Sequence, residues 1–435
     1  MQTNLEIIFI NKLNCKKMIS KKNKIDTPIL IIGAGMAGLC VSYFLTKKKI
    51  GHIILEKGSV GNSWINERWD NFYLVNPNWA MKIPEFDIHS NNFKFESPDG
   101  FLNKQEVINY IESFAKFIGP KIYENEKAEK VSKKKDRYEI ITSKQIIQSK
   151  VVVIASGAFG NPHKPNIGKN LDNKIFQIHS SEYKNYGQLN SGKVVVVGSG
   201  QSGAQIAEDL LISGKKVWLA VSRCGRRPRR YRGKDSSWWN NEMGLFDKTV
   251  DEVPFEDRWK CSAHTSGSMG GHDINLLDLK EKGLNLCGTI KECEKNELII
   301  NDNLFENIKF SDNHALSWSK QVDNYINKKK IKFKSEKLIP DQRIKSKDLK
   351  SVKKLELNKD DNIIWATGFR YNYDWINLDV TDNNNHPLQN RGETNFRGLY
   401  FMGLQWMHSS KSAQFIGVAE DAEFIVNDIL SKNLL

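Results

Sequence analysis

At 435 residues the chain is long for one hydrophobic core, and a scale of about 150 residues per domain points to two or three domains. Its 39% hydrophobic and 10% aromatic content suits packed cores and excludes wholesale disorder. The net charge of +14 would suit a polyanionic partner, but the lysines fall in scattered runs such as Lys47-Lys48-Lys49 and Lys328-Lys329-Lys330, as on solvated faces, and without a basic-aromatic repeat no nucleic-acid partner is expected.

Residues 1–25 read as a flexible, lysine-rich extension, with Met18 an alternative start. The apolar stretch Leu5 to Ile10 is too short for a bilayer, and no later run reaches the ~18 apolar residues of a spanning helix, so a soluble protein with no membrane partner is expected. The first convincing strand, Ile29 to Ile32, is apolar throughout, as a parallel strand covered on both faces must be. It meets a turn carrying Gly33, Gly35 and Gly38, and then the apolar-periodic segment Leu39 to Leu45. Strand, glycine turn and helix in this order present backbone N–H groups and a positive helix end to a pyrophosphate. The next strand, His52 to Leu55, ends in Glu56, 18 residues after Gly38, near the spacing of an acid that binds a ribose hydroxyl.

The pattern recurs. Val194 to Val197 is followed by Gly198, Gly200 and Gly203 and a helical segment from Ala204 to Ser213. A second dinucleotide is implied. Here the following strand, Lys216 to Val221, ends in Ser222-Arg223 rather than an acid, the exchange expected where a 2′-phosphate replaces a 2′-hydroxyl, which selects NADPH. Arg223 opens a cluster with Arg226, Arg227, Arg229, Arg230 and Arg232, of which one or two are expected to touch phosphate, Arg223 first among them.

Two further strands end in small-residue turns, Val151 to Gly157 and Ile363 to Gly368, the latter containing Thr367. They read as paired crossings between a first nucleotide domain (26–165 and 366–435) and a second inserted into it (166–365, with a helical and loop insertion). The fold class is therefore α/β with two Rossmann-type dinucleotide-binding domains, and the turn-rich Asn161-Pro162-His163-Lys164-Pro165 marks one boundary. Within the insertion, Asp235 to Gly271 lacks clear periodicity, and residues 304–330 read as an amphipathic helix, either a cover over the site or a packing helix. The six cysteines are dispersed without a Cys-x-x-Cys, so neither a metal site nor a dithiol redox centre is signalled, and a reducing cytoplasm suits them.

Together these residues resemble the class B flavin-dependent monooxygenases, over about residues 28–230 and 360–430. The match is strongest toward a bacterial branch, through Gly198 to Leu210, Arg229 to Gly233 and Gly270 to Leu276. The resemblance implies FAD on the first fingerprint and NADPH on the second. It implies O2 and a small organic molecule as substrates, one oxygen atom being delivered through a flavin hydroperoxide. Of the family's Phe-x-Gly-x-x-x-His-x-x-x-Tyr/Phe stretch, His179 and Tyr183 fit and imply a hinge role, while Asn173 and Ile175 stand where Phe and Gly are expected. Ser63 and Trp64 resemble the Gly-x-x-Trp beside the flavin, Asn76 or Asn78 the asparagine near its reactive edge, and Gly403 closes a strand that returns beneath it. A homodimer is compatible with this reading. Two alternatives stay open: an NAD(P)H-driven flavin reductase serving a quinone-like or other acceptor, and a non-catalytic redox sensor or nucleic-acid-associated flavoprotein. The substrate, whether amine, sulfide, ketone or 2-oxo acid, is not legible.

Overall fold

The computed structural model describes residues 22–345 and 348–435. The early apolar stretch, Cys15 and the alternative start at Met18 lie outside the described residues. The first sheet begins with β1 (Asn23–Ile32), α1 (Met36–Lys47) and β2 (His52–Leu55), followed by α2 (Asn62–Asn66), α3 (Lys104–Ile118) and β3 (Lys121–Tyr123). A hairpin of β4 (Ala128–Lys134) and β5 (Arg137–Thr142) then feeds β6 (Gln145–Ile154). The strand order is β3-β2-β1-β6-β5-β4. β1 is parallel to β2 through Ile29↔His52 and to β6 through Ile29↔Val151, so both edges of its apolar end are paired, and with α1 packed on the strand Ile29, Leu30 and Ile31 have no exposure.

β1 starts earlier than its apolar run. Asn23, Lys24 and Ile25, expected to belong to a flexible extension, pair with Gln145, Ile146 and Ile147. The ten-residue β6 supplies that partner edge, and backbone hydrogen bonding holds polar residues in a strand that hydropathy alone does not mark.

The second sheet takes β7 (Phe176–His179), β8 (Val194–Val197), α4 (Gln201–Ile212) and β9 (Val217–Ala220). After a small hairpin, β10 (Arg230–Tyr231) and β11 (Lys234–Asp235), come α5 (Ser236–Glu242), α6 (Phe255–Arg258), α7 (Leu276–Glu281) and β12 (Asn285–Cys287). A three-stranded sheet of β13 (Ile290–Glu294), β14 (Glu297–Ile300) and β15 (Lys354–Glu356) surrounds the long α8 (Leu304–Lys329) in sequence. β16 (Asn362–Trp365) then slots between β8 and β7, completing the parallel order β12-β9-β8-β16-β7. Finally β17 (Leu399–Phe401) returns to the first sheet beside β6, with Leu399 opposite Val152, and α9 (Val418–Ser431) packs on α1.

Both connections between the sheets run together: Pro162 bridges Phe369, and the His163 N–H donates to the Gly368 carbonyl at 2.9 Å. The helix expected over 304–330 is present as a packing helix. Ala315, Trp318, Val322 and Ile326, spaced three or four apart, lie buried, the last three against Tyr231 and Trp239. No helix among the described residues is long and apolar enough to cross a membrane, and none of their His, Cys, Asp and Glu side chains form a group of three that could hold a metal.

Candidate dinucleotide sites and the segment between them

Each glycine turn lies where the strand order diverges, with β2 and β6 flanking β1 and with β9 and β16 flanking β8. This is the crevice in which open parallel sheets bind ligands. The two turns are built alike. Gly33 has φ +114° and Gly198 φ +98°, a region that L side chains rarely enter. A Cβ on Gly33 would collide with the Ala155 carbonyl, and one on Gly198 would lie 2.6 Å from the Ala366 carbonyl. Gly38 and Gly203 likewise leave no room, since a Cβ there would meet the carbonyls of Gly33 and Gly198. The backbone repeats as well: the Gly33 N–H donates to the Leu55 carbonyl at the end of β2 at 2.7 Å, and the Gly198 N–H to the Ala220 carbonyl at the end of β9 at 3.2 Å.

Gly35 differs from its neighbours. Its backbone is extended, and a Cβ on it would meet nothing within 4 Å. Nothing in the protein requires glycine there, so the residue fits a ligand that must approach the start of α1 closely. Gly157 and Gly368, at the two crossings, face open space in the same way, while a Cβ on Gly403, two residues past β17, would lie 2.6 Å from the Ala37 Cβ in the first turn of α1.

Glu56 is buried, and its two carboxylate oxygens accept from Ala34 N–H at 2.8 Å and Gly58 N–H at 2.9 Å. It therefore braces the glycine turn itself, and each oxygen keeps a lone pair for a ribose hydroxyl. Ser63 is exposed on α2, and Trp64 packs on Phe72 and Phe415 under the Arg68 guanidinium. Of the two candidate asparagines, Asn76 is engaged with Gln414 Oε1 at 3.0 Å and Ser237 Oγ at 3.4 Å. Asn78 is 2% exposed, donates to the Ser97 carbonyl at 2.8 Å, and leaves its Oδ1 without a partner.

The second site is decided by distant carboxylates. Asp312 and Asp323 on α8 bind Arg226 and Arg232, Asp235 binds Arg229 at 2.7 Å, Arg230 donates to the carbonyls of Gly270 and Gly271, and Arg227 lies over Trp318. Arg223 remains exposed with its guanidinium 4.4 Å from the Phe310 ring centre, beside Ser222, whose hydroxyl accepts from Ser199 N–H inside the fingerprint. Arg229 has another task. Its buried guanidinium donates to the Val75 carbonyl at 2.7 Å and covers Phe101, so it buttresses the Leu74 to Trp79 segment.

His179 carries no free catalytic nitrogen. Nε2 bonds the Gly368 carbonyl at 3.0 Å and Nδ1 contacts Ser181 Oγ at 2.9 Å, and burial holds the imidazole below its ordinary pKa. Tyr183 donates to Asp209 on α4 at 2.8 Å. Thr367 donates to the His163 carbonyl, so these residues knit the double crossing together.

Sequence reasoning missed a strap over the start of α4. Gln201 and Gln205 bond the Thr265 carbonyl, His264 bonds the Ser199 carbonyl, and His272 pairs with Glu208 at 2.8 Å. It also missed Cys224 and Cys261, whose sulfurs lie 2.8 Å apart although 37 residues separate them; the dithiol that motif spacing does not signal is assembled by this strap. Glycines in the strap were the available signal, because Gly267 has no room for a Cβ against Leu74 O. The Glu208 carboxylate holds the His272 imidazole above its usual pKa. Stability from this pair is therefore complete below pH ~6.5 and lost as pH rises through the raised value. Urea midpoints should fall over that range in the wild type, and His272→Gln should flatten the fall.

Comparisons with known proteins agree with this geometry. The family model described as pyridine nucleotide-disulphide oxidoreductase matches residues 30–250. An uncharacterized CzcO-like oxidoreductase of Geobacillus kaustophilus is 30% identical over 406 residues, covering 93% of this chain and 98% of its own. A probable indole-3-pyruvate monooxygenase of Arabidopsis thaliana, YUCCA1, is 29% identical over 197 residues, 44% of this chain and 46% of its own. The fold is shared with the flavin-containing monooxygenase of Stenotrophomonas maltophilia, at TM-score 0.63 and 16% identity over 94% of this chain and 99% of that one. With two matching glycine turns at two parallel-sheet crevices, the chain belongs to the pyridine nucleotide-disulphide oxidoreductase family.

Proposed function

We propose that this oxidoreductase is an FAD-dependent, NADPH-consuming monooxygenase acting on a small organic substrate. FAD rests on Gly33, Gly35 and Gly38 in a domain of residues 26–165 and 366–435, and NADPH on Gly198, Gly200 and Gly203 in the inserted domain, 166–365. The observation that carries the reading is the repeated turn geometry, in which both first glycines are pinned at positive φ against a crossing strand. A bound flavin supplies hydride acceptance and oxygen activation. The protein's part is to hold, orient and exclude water. Glu56 sets the first turn, Arg223 takes the 2′-phosphate, and His179 fixes the crossing against which the two domains are braced.

The substrate is assigned to the polar atoms left over between the domains. Asn78 Oδ1, Trp79 Nε1, Arg229 Nη2 and Ser236 Oγ are buried without protein partners, on two segments joined by the Arg229 to Val75 and Ser237 to Asn76 hydrogen bonds. Buried polar atoms ordinarily have partners, so these four are the atoms we propose a ligand hydrogen-bonds. Asn78 thereby becomes the better of the two asparagine candidates.

The test is to supply NADPH and 18O2 with trimethylamine, methyl p-tolyl sulfide, cyclohexanone or phenylpyruvate. Label in an organic product supports the oxygenase. NADPH oxidation that depends on a quinone or disulfide acceptor, with no labelled product, would replace it by the reductase reading, which the Cys224 and Cys261 contact favours. Arg223→Gln is expected to raise the Kd for NADPH roughly 10- to 100-fold, the worth of one charge-assisted contact of about 1.5–3 kcal/mol, with NADH affinity unchanged. Equal loss toward both nucleotides in a titration would remove Arg223 from the phosphate site.

A further inference from the structure

Cys224 follows β9 and is 2% exposed, whereas Cys261 is exposed in the strap. Their sulfurs touch at 2.8 Å, and the Cys261 sulfur lies 3.4 Å from where a Cβ on Gly200 would stand. The same sulfur faces the Gln201 backbone N–H in the first turn of α4, which favours its thiolate. It thus occupies the approach to the helix start that a pyrophosphate uses. We propose that Cys224 and Cys261 form a peroxide-oxidisable thiol pair at the NADPH site, which closes to a disulfide beside Gly200 and which bound nucleotide shields.

The surroundings divide the roles. The Cys224 S–H bond and the Gln201 N–H favour the Cys261 thiolate and hold its pKa below the ordinary value, making Cys261 the attacking sulfur. Its hydrogen bond to Cys261, together with burial, pushes the Cys224 thiol up, so Cys224 acts second. The Cys261 thiolate attacks one oxygen of hydrogen peroxide, the O–O bond breaks, and the departing hydroxide takes the proton that Cys261 released, giving water and a sulfenic acid. The Cys224 sulfur then attacks the sulfenic sulfur as its proton passes to the leaving hydroxide, giving the disulfide and a second water. Two thiols lose two electrons and one peroxide gains them. Cys40, Cys287 and Cys293 are buried, and burial raises each thiol, so they serve as internal controls.

The shielding arm rests on the second fingerprint as the NADPH site; disulfide formation does not. Reduced holoprotein is treated with hydrogen peroxide, alkylated with N-ethylmaleimide under denaturing conditions and digested without reductant. A peptide linking Cys224 to Cys261, two hydrogens lighter than the reduced pair and reversed by dithiothreitol, is expected. Cys224→Ser should instead accumulate a dimedone-trapped sulfenic acid at Cys261, and Cys261→Ser should leave Cys224 alkylated. NADP+ at about 100 times its Kd should slow oxidation roughly 100-fold. Full alkylation of both wild-type sulfurs after peroxide would overturn the pair. An unchanged oxidation rate with NADP+ shown bound by titration would overturn its placement, while absence of NADP+ binding would instead strike the nucleotide reading.

Discussion

Gly35→Val is expected to yield a folded protein that purifies without flavin, and Gly200→Val a yellow protein that NADPH no longer bleaches. Both backbones are extended, so valine needs no left-handed conformation. A Cβ on residue 35 meets nothing within 4 Å, and one on residue 200 meets only the Cys261 sulfur at an ordinary 3.4 Å. The cost to the fold is confined to a poorer helix N-cap, about 1 kcal/mol. Each side chain instead fills the space through which a pyrophosphate reaches its helix start. A displacement of about 1 Å at a reacting centre costs roughly 100-fold in rate, and flavin reduction by NADPH in Gly200→Val should fall by at least that factor. Circular dichroism reports the fold, flavin absorbance the first site, and anaerobic stopped-flow reduction the second. Stoichiometric flavin in Gly35→Val would sink the assignment of the first site. Gly38→Ala is the contrasting control, because its Cβ strikes the Gly33 carbonyl and the protein itself must move.

Arg229→Met should destabilise the protein by about 3–5 kcal/mol, the cost of leaving one member of a buried ion pair behind. The Arg229 and Asp235 side chains are only 2% and 11% exposed, and the guanidinium also satisfies the Val75 carbonyl. Lysine should not rescue it, because a single ammonium cannot serve the carboxylate and the carbonyl from one fixed plane. Arg229→Met combined with Asp235→Leu should recover part of the loss, since no unpaired charge then remains, less about 1 kcal/mol for the Ser237 N–H that Asp235 caps at the start of α5. Denaturant titration of the three variants reads this directly. A single-variant loss below about 1 kcal/mol, typical of an exposed pair, would show that Arg229 does not buttress the Leu74 to Trp79 segment.

Both nucleotide folds were legible because their requirements are local. An all-apolar strand, glycines at fixed offsets and an apolar-periodic helix lie within about twenty residues, and the φ of Gly33 and the crowding at Gly38 follow from that short stretch. The amphipathic spacing of Trp318, Val322 and Ile326 was equally local, and it specified α8 without saying what the helix covers.

The remainder depended on partners far away in sequence. Whether Asn23 joins a strand depended on Gln145, which hydropathy near Asn23 does not reveal. Which arginine stays available for phosphate depended on Asp312 and Asp323, each about ninety residues downstream of the arginine it binds. The choice between Asn76 and Asn78 turned on Ser237, 161 residues away in the chain, whose hydroxyl donates to the Asn76 Oδ1. Local patterns along the chain were thus enough for two dinucleotide folds and their glycine turns, because backbone sterics act between neighbours. How the arginines are paired, which asparagine keeps a free oxygen, and that Cys224 meets Cys261 emerge in three dimensions alone, because side-chain pairing is set by whatever long-range packing brings within reach.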